Sequence, residues 1–415
     1  MHCCLANRTT MAEPILELSN VTVRRGMGVV LQDFSMTVNA GECVVLHGEN
    51  GIGKSTIIET AARLLPIESG SVKHHGKVVC DGEGRRANPA KPFGLTLQKN
   101  CLVPSQTVQQ QVQNVIALSG KSFDCKSIFD SYQLANRRND KIAYLSGGQQ
   151  RKVAVISGLI AGMIDKENTL ILLDEPDSGL DDASVEQLVK HIHMLRNLGH
   201  GIVIASHDKR LQECATSLHD MSEVSKQEPS FSEIWQVKST EKNYPMLKTK
   251  IGWKLNLNTL VSVQRNWLAA LLVMGGLLSI VDPLTLSDNH TLLMGFTLAP
   301  AFTMGLVGDP VFKILNEQRS IDWWRAQANN VPNSYLESLL SGFIITTIAI
   351  QIFIQSVDFR IVLAGGFITL STSFAVRFLQ MSTVRLARSN AVFIRLLTPI
   401  LILPWGLIVD YCAKL

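Results

Sequence analysis

Two regimes of apolar patterning divide the chain. Between residues 13 and 223, short apolar runs alternate with stretches of helical periodicity and ordinary polarity, which predicts strands and helices in alternation. Strands are expected over 15–23, 36–38, 43–46, 94–98, 169–173 and 202–205, with helices opening after Lys54 and after Gly147. From residue 267 the pattern changes to long apolar runs, 268–286, 292–307, 339–357, 361–378 and 392–409. Each is about 16 to 19 residues, near the shorter limit for crossing hydrocarbon. Between the regimes, 225–250 is polar and charged and carries Pro229 and Pro245, as a linker would. The expected division is a disordered N-terminus (1–12), an α/β domain (13–223), a linker (224–250) and an all-α transmembrane domain with about five spans (251–415).

Basic residues orient these spans. Lys248, Lys250, Lys254 and Arg265 precede the first span, Lys313, Arg319 and Arg325 follow the second, and Arg385 and Arg388 follow the fourth. The intervening loops are almost free of positive charge, so the positive-inside rule puts the N-terminal domain in the cytoplasm of a cell whose inner or plasma membrane holds the spans. Residues 251–267 alternate Trp253, Leu255, Leu257 and Leu260 with Lys254, Asn256 and Gln264, as an interfacial helix does. The loop 310–332 is long enough for a cytoplasmic helix, and we assign it a coupling role; Trp323 and Trp324 in it read as membrane-interface anchors in preference to ligand contacts. The spans show no buried acid–base pair of the type that marks an ion pathway.

The chemistry lies in the first domain. Gly48-Glu49-Asn50-Gly51-Ile52-Gly53-Lys54-Ser55 follows an apolar strand and opens, through Thr56, into a helix. This is the context a phosphate-binding P-loop requires: glycines let backbone N–H groups converge on phosphate, and the helix N-terminus adds partial positive charge. Lys54 then reaches the β- and γ-phosphates of ATP, and Ser55 ligates Mg²⁺. Ser146, Gly147, Gly148 and Gln149, after Leu145 and before Gln150-Arg151, repeat the theme at a second helix N-terminus. The strand 169–173 ends in Asp174-Glu175, where Asp174 suits the Mg²⁺ shell and Glu175 polarises the attacking water. The strand 202–205 leads to Ser206-His207.

In this order the motifs resemble an ABC-type ATPase cassette over residues 15 to about 220. The resemblance implies a Q-loop glutamine at Gln98, touching Mg²⁺ and water, a γ-phosphate contact at His207, and a D-loop over 178–181. It also implies that Ser146 to Gln149 face a nucleotide held by another cassette, so a second copy of the chain is the expected partner. The aromatic that such cassettes place near the first turn is replaced by Arg24 and Arg25, which either stack on the base or are solvated strand-end charges.

The membrane half is similar to the membrane subunit of the bacterial-type cytochrome c maturation haem exporter. The supporting stretches are 308–332, leading through Ser334-Tyr335-Leu336 into a span, and 388–406, with Arg388-Ser389-Asn390-Ala391-Val392 and Thr398-Pro399. The cassette leans the same way through its arginines and its Gly148-Gln149-Gln150-Arg151. This resemblance implies haem-handling membrane proteins and a haem chaperone as partners, while the spans alone equally allow an ABC-2-like exporter of a lipid or small hydrophobic compound. Six spans are usual in that family, so a sixth is missing here or supplied otherwise.

Composition adds little to this picture. A formal net charge of +4 with no long basic block argues against nucleic acid as a partner. The eight cysteines have no metal-ligand spacing and read as reduced thiols facing a cytosol. No apolar leader opens the sequence, and Met11 is a second candidate start. His74 and His75 are expected in a polar loop, and His191 and His193 on an exposed helix.

Overall fold

A computed structural model describes residues 14–165, 168–221, 260–280, 289–316, 320–327, 333–356, 358–383 and 401–414. The chain forms two compact units, Met1–Asn256 with Glu317–Val331, and Leu257–Asn316 with Pro332–Leu415. The expected N-terminal disorder, the linker, and the stretches 251–259 and 392–400 lie outside the described residues.

The first unit is the expected α/β P-loop NTPase fold. It runs β1 (Leu16–Arg25), β2 (Gly28–Val38), β3 (Cys43–His47), α1 (Lys54–Ala61), β4 (Ser69–His74), β5 (Lys77–Asp81) and β6 (Gly94–Thr96). Then come α2 (Val108–Leu118), α3 (Lys126–Ser131), α4 (Gly147–Ile164), β7 (Leu170–Asp174), α5 (Asp182–Asn197), β8 (Gly201–Ala205), α6 (Lys209–Gln212) and β9 (Ser217–Asp220). β2-β1-β4-β5 form an antiparallel sheet, and β6-β7-β8-β3-β9 a parallel one. The continuous apolar runs of β3, β7 and β8 are explained by their place in the middle of the parallel sheet, where both faces are covered and nearly every side chain is buried. Registry aligns Leu46 and Asp174 with Ala205, so the P-loop, Asp174-Glu175 and Ser206-His207 all leave the same C-terminal edge. Open parallel sheets place ligands at that edge.

The same unit includes α10 (Ser320–Gln327), which a division at residue 251 assigns to the other half. Trp323 and Trp324, expected at a membrane interface, are both 5% exposed and packed edge to face at 5.3 Å. They are interior residues of the cassette unit. Their amphipathic character satisfies a protein groove as readily as a lipid headgroup layer, so composition alone could not separate the two.

His74 also differs from expectation. It closes β4, is fully buried, pairs edge to face with Phe93 at 5.3 Å, and its Nε2 meets the Ala61 carbonyl at 2.8 Å. His191 and His193 are on a helix, α5, but half-buried, against the Tyr132 hydroxyl and Cys214.

The second unit comprises α7 (Leu260–Ile280), α8 (His290–Val307), α9 (Pro310–Asn316), α11 (Tyr335–Phe353), α12 (Phe359–Thr383) and α13 (Ile402–Ala413). Residues 260–267 are the first turns of α7. Among the described residues three segments are long and apolar enough to cross a membrane: His290–Phe312, Tyr335–Phe353 and Phe359–Gln380. Helices α8, α11 and α12 approach closely at small residues. A Cβ on Gly305 would lie 2.7 Å from Thr372 Cβ, and one on Gly342 2.9 Å from Gly366 Cα. Thr369 donates to the Ala301 carbonyl at 3.0 Å. Apolar helices in a bilayer gain little from burial, so close backbone approach of this kind is what holds them together.

One buried charge pair went unread in the sequence. Arg377 on α12 is paired with Asp309, at the α8–α9 corner, and both are buried. A pair 68 residues apart in sequence leaves no local pattern from which to read it.

Candidate nucleotide site

The P-loop is shaped by its glycines. Gly48 and Gly53 hold φ of 137° and 119°, a region where side chains are strained, and a Cβ on Gly53 would also press on Val30 at 3.2 Å. Gly53 caps α1, so the backbone turns directly from loop to helix at Lys54. The buried Lys54 Nζ donates to the carbonyls of Gly48 and Glu49, and burial lowers its pKa against the opposing pull of Glu175 and Asp174.

Ser55 and Asp174, separated by 119 positions, meet: the serine Oγ donates to Asp174 Oδ1 at 3.0 Å. Asp174 is 1% exposed, and its Oδ2 has no hydrogen-bond partner. Burial pushes its carboxyl up to about 6, with the Ser55 hydrogen bond opposing. A buried carboxylate oxygen without a partner, beside a hydroxyl, is a hard-oxygen donor set that suits Mg²⁺.

Glu175 follows with φ of 45°, in the left-handed region that non-glycine residues rarely adopt. The strain is held from three sides. Its N–H donates to Ala205 O at 2.8 Å, and its carbonyl accepts from Ser178 N at 3.0 Å and from Arg151 Nη2 at 2.5 Å. The His207 ring nitrogen Nε2 lies 3.0 Å from Asn50 Oδ1, tying the end of β8 to the P-loop. Gln98 is exposed just past β6.

Ser146 to Gln149 form a different arrangement. Ser146 caps α4 by accepting from Gln149 N at 3.3 Å, while Gln149 Oε1 accepts from Ser146 N at 3.1 Å. Ser146 and Gly147 face outward. Their link to the P-loop side runs through Arg151 on the same helix. The buried guanidinium donates to the carbonyls of Leu97 at 2.8 Å and Asp174 at 2.7 Å, and to Asn100 Oδ1 at 3.2 Å. Lys152 pairs with Asp181 at 2.7 Å, and that aspartate caps α5. Ser206 donates to Asp177 at 2.7 Å. Lys152 and Asp177 are scaffolding that the sequence reading missed; Arg151 was read only as the end of the Gly148-Gln149-Gln150-Arg151 stretch, without its bonds across the site.

Arg24 and Arg25 pair with Glu68, at 2.8 Å, and with Glu59, all four being partly exposed. This is the arrangement of solvated strand-end charges.

A seat for α10 completes the unit. Trp323 Nε1 donates to Leu95 O at 3.1 Å, Gln327 Nε2 donates to Phe93 O at 2.7 Å, and Phe93 N donates back to Gln327 Oε1 at 3.2 Å. Since β6 ends the parallel sheet, these side chains occupy backbone groups that an edge strand otherwise leaves open. Arg63, one residue beyond the α1 cap, donates to Arg325 O at 2.9 Å and Ala326 O at 3.0 Å. Burial lowers its pKa to about 10. Thus α1 starts at the P-loop and leads to residues that grip α10.

The first unit thus has the ABC-cassette P-loop NTPase fold, and a helical region with helices of membrane-spanning length follows it. Comparison with known proteins agrees: residues 31–178 match the family described as ABC transporter. The macrolide export ATP-binding/permease protein MacB of Shigella flexneri is 28% identical over 254 residues, 58% of this chain and 38% of that protein. MacB of Burkholderia thailandensis is 29% identical over 224 residues, 51% of this chain and 34% of the relative. The chain thus spans little more than a third of the length of these relatives. Among solved structures, a dimeric ATP-binding cassette in a post-hydrolysis state with ADP and phosphate is 22% identical, covering 49% of this chain and 93% of that one (TM-score 0.43). A nucleotide-free cassette of an ABC transporter is 21% identical, covering 50% and 87% (TM-score 0.40).

Proposed function

We propose that the chain is an export-type ABC membrane protein that hydrolyses ATP, with its cassette in the cytoplasm and two copies paired so that each completes the other's site. The observation that carries this reading is the meeting of Ser55 with Asp174 beside a strained Glu175 at one edge of the sheet. Lys54 neutralises phosphate charge, and Ser55, Asp174 and Gln98 are the residues that would hold Mg²⁺, which supplies charge stabilisation on the phosphates. Glu175 takes the proton of the attacking water, and His207, steadied by Asn50, contacts the γ-phosphate. Gly48 to Gly53, with Thr56, present the backbone amides and helix terminus to phosphate. Ser146 to Gln149, of which Ser146 and Gly147 face outward, serve the partner copy's nucleotide. ATP favours the paired state because the γ-phosphate is bound from both sides only there.

For the cargo, the resemblance of 308–332 and 388–406 to the cytochrome c maturation haem exporter supports haem export, or release of a haem chaperone, as the role. A second reading, export of another hydrophobic compound or a lipid, is supported by the macrolide exporters among the relatives. Haem staining of c-type cytochromes in host membranes carrying the chain or its Glu175→Gln variant tests the choice. Loss of holocytochrome with the variant alone is expected; unchanged staining, with ATPase activity confirmed on the purified chain, removes haem and leaves the second reading.

A further inference from the structure

The buried charge pair of the helical unit sits at a particular place in the chain. Asp309 is where the chain leaves α8 for α9, and Ser334 is where it returns to begin α11; α10 lies between them in sequence. These two roots touch. Ser334 Oγ donates to Asp309 Oδ1 at 2.5 Å, and the same oxygen accepts from Val311 N at 2.9 Å and Phe312 N at 3.3 Å, capping α9. The other oxygen, Oδ2, takes Arg377 Nη1 from α12. That guanidinium also lies 5.5 Å from the Phe312 ring and 5.4 Å from the Tyr335 ring, one on the outgoing limb and one on the returning limb. Asp309 is 0% exposed, Ser334 2% and Arg377 5%. Beside them Asn266 of α7 donates to Gly308 O at 2.9 Å, and a Cβ on Gly308 would meet Val376 of α12 at 3.0 Å.

We propose that Asp309, Ser334 and Arg377 form a clamp at the neck of the α9–α10 excursion, fastening both of its limbs to α12 so that a displacement of α10 reaches α8, α11 and α12 together. The proposal rests on the reading of the chain as an ATP-driven membrane protein and adds the residues that pass the movement on. A charge pair in such a position is a poor way to gain stability, since well-packed apolar side chains of similar volume often hold as well or better. What it supplies is one geometry: four hydrogen-bond donors converge on a single carboxylate, and each limb adds one ring to the guanidinium. The three residues are positioning residues, remote from the nucleotide chemistry. Without the clamp each limb moves by its own hinge, and α10 can follow the cassette while the helices stay behind.

The test is amide hydrogen exchange on the full chain in lipid nanodiscs, with and without ATP in the Glu175→Gln background, alongside ATPase rates with Glu175 intact. In the parent, ATP alters exchange in α10 and in α8, α11 and α12. The double variant Asp309→Asn/Arg377→Met keeps an oxygen to cap α9 and leaves no unpaired charge. In it the ATPase rate stays within about twofold and α10 still responds. The ATP-dependent change in α8 and α12 falls by about fivefold or more. Arg377→Lys restores part of that response. If the double variant fails to fold, Ser334→Ala keeps the charge pair and releases only the returning limb, so the response persists in α8 and is lost in α11. An undiminished response of α8 and α12 in the double variant, or of α11 in Ser334→Ala, overturns the clamp. A parent in which ATP alters α10 and leaves α8 and α12 unchanged overturns instead the reading on which the clamp rests.

Discussion

The cassette and the helical unit are held together by opposite means. In the cassette, apolar strands and helices are packed on both faces of a parallel sheet, and water drives that burial. In the helical unit, the close contacts are glycines and threonines between apolar helices, and a buried charge pair joins α12 to the α8–α9 corner. The polar groups follow suit. The cassette keeps its unpartnered Asp174 oxygen at an open sheet edge where a ligand is expected, whereas both carboxylate oxygens of Asp309 accept hydrogen bonds. In the cassette, the strained backbone of Glu175 and the unpartnered oxygen of Asp174 stand side by side at that edge.

The largest expected effect tests the first half of that contrast. Glu175→Gln removes the proposed general base while leaving the strained backbone and its three hydrogen bonds in place, so ATPase turnover should fall by about 10²- to 10⁴-fold with nucleotide binding retained. Lys54→Ala should abolish turnover as well, and it should also weaken nucleotide binding. Phosphate release and equilibrium binding on the purified full chain check both; unimpaired hydrolysis by the Gln variant would remove Glu175 from the role of base.

Trp323→Ala tests where α10 belongs. Truncating a buried tryptophan costs about 3 to 5 kcal/mol, and here it also leaves Leu95 O without its donor. The cassette's unfolding transition should shift accordingly in the full chain. An unshifted transition with weakened membrane association would restore the interface-anchor reading.

The cassette was legible because its chemistry is local. Gly48 to Ser55, Ser146 to Gln149 and Asp174-Glu175 each sit within one strand end or helix start, and their order along the chain identifies the fold. What the sequence hid depends on residues meeting across distance. Arg151 reaches Leu97, Asp174 and Glu175; Asp309 reaches Arg377; Trp323 reaches Leu95 across 228 positions. His74 was hidden differently: a pair of histidines beside Gly76 reads as a polar turn, yet strand alternation turns His74 inward, and only the half-buried His75, past the strand end, belongs to the turn.

That buried histidine gives the cassette a pH dependence. Burial holds His74 and His200 neutral, with pKa values lowered to about 4. A base whose folded pKa lies below its unfolded value near 6.5 takes up protons more readily when unfolded, so its contribution is intact above about pH 6.5 and is lost as pH falls toward 4. For His74 the loss is up to about 3 kcal/mol across that window. Thermal unfolding of the full chain from pH 7 to pH 4 should show the decline, and His74→Phe should flatten part of it.

The smallest effect decides between the two readings of the arginines at the first turn. Arg25 pairs with Glu59 and Arg24 with Glu68, and exposed pairs of this type contribute about 0 to 1 kcal/mol. If the arginines are only solvated charges, Arg25→Ala should leave KM for ATP within about twofold and change stability by less than about 1 kcal/mol. A guanidinium stacked on the base contributes about 1 to 2 kcal/mol once desolvated, which would raise KM by about five- to thirtyfold. Glu59→Gln separates the cases further. It frees Arg25, so a stacking arginine would then bind ATP more tightly, whereas a merely solvated one would leave KM unmoved. We expect no movement, because Arg25 is already committed to a carboxylate on α1.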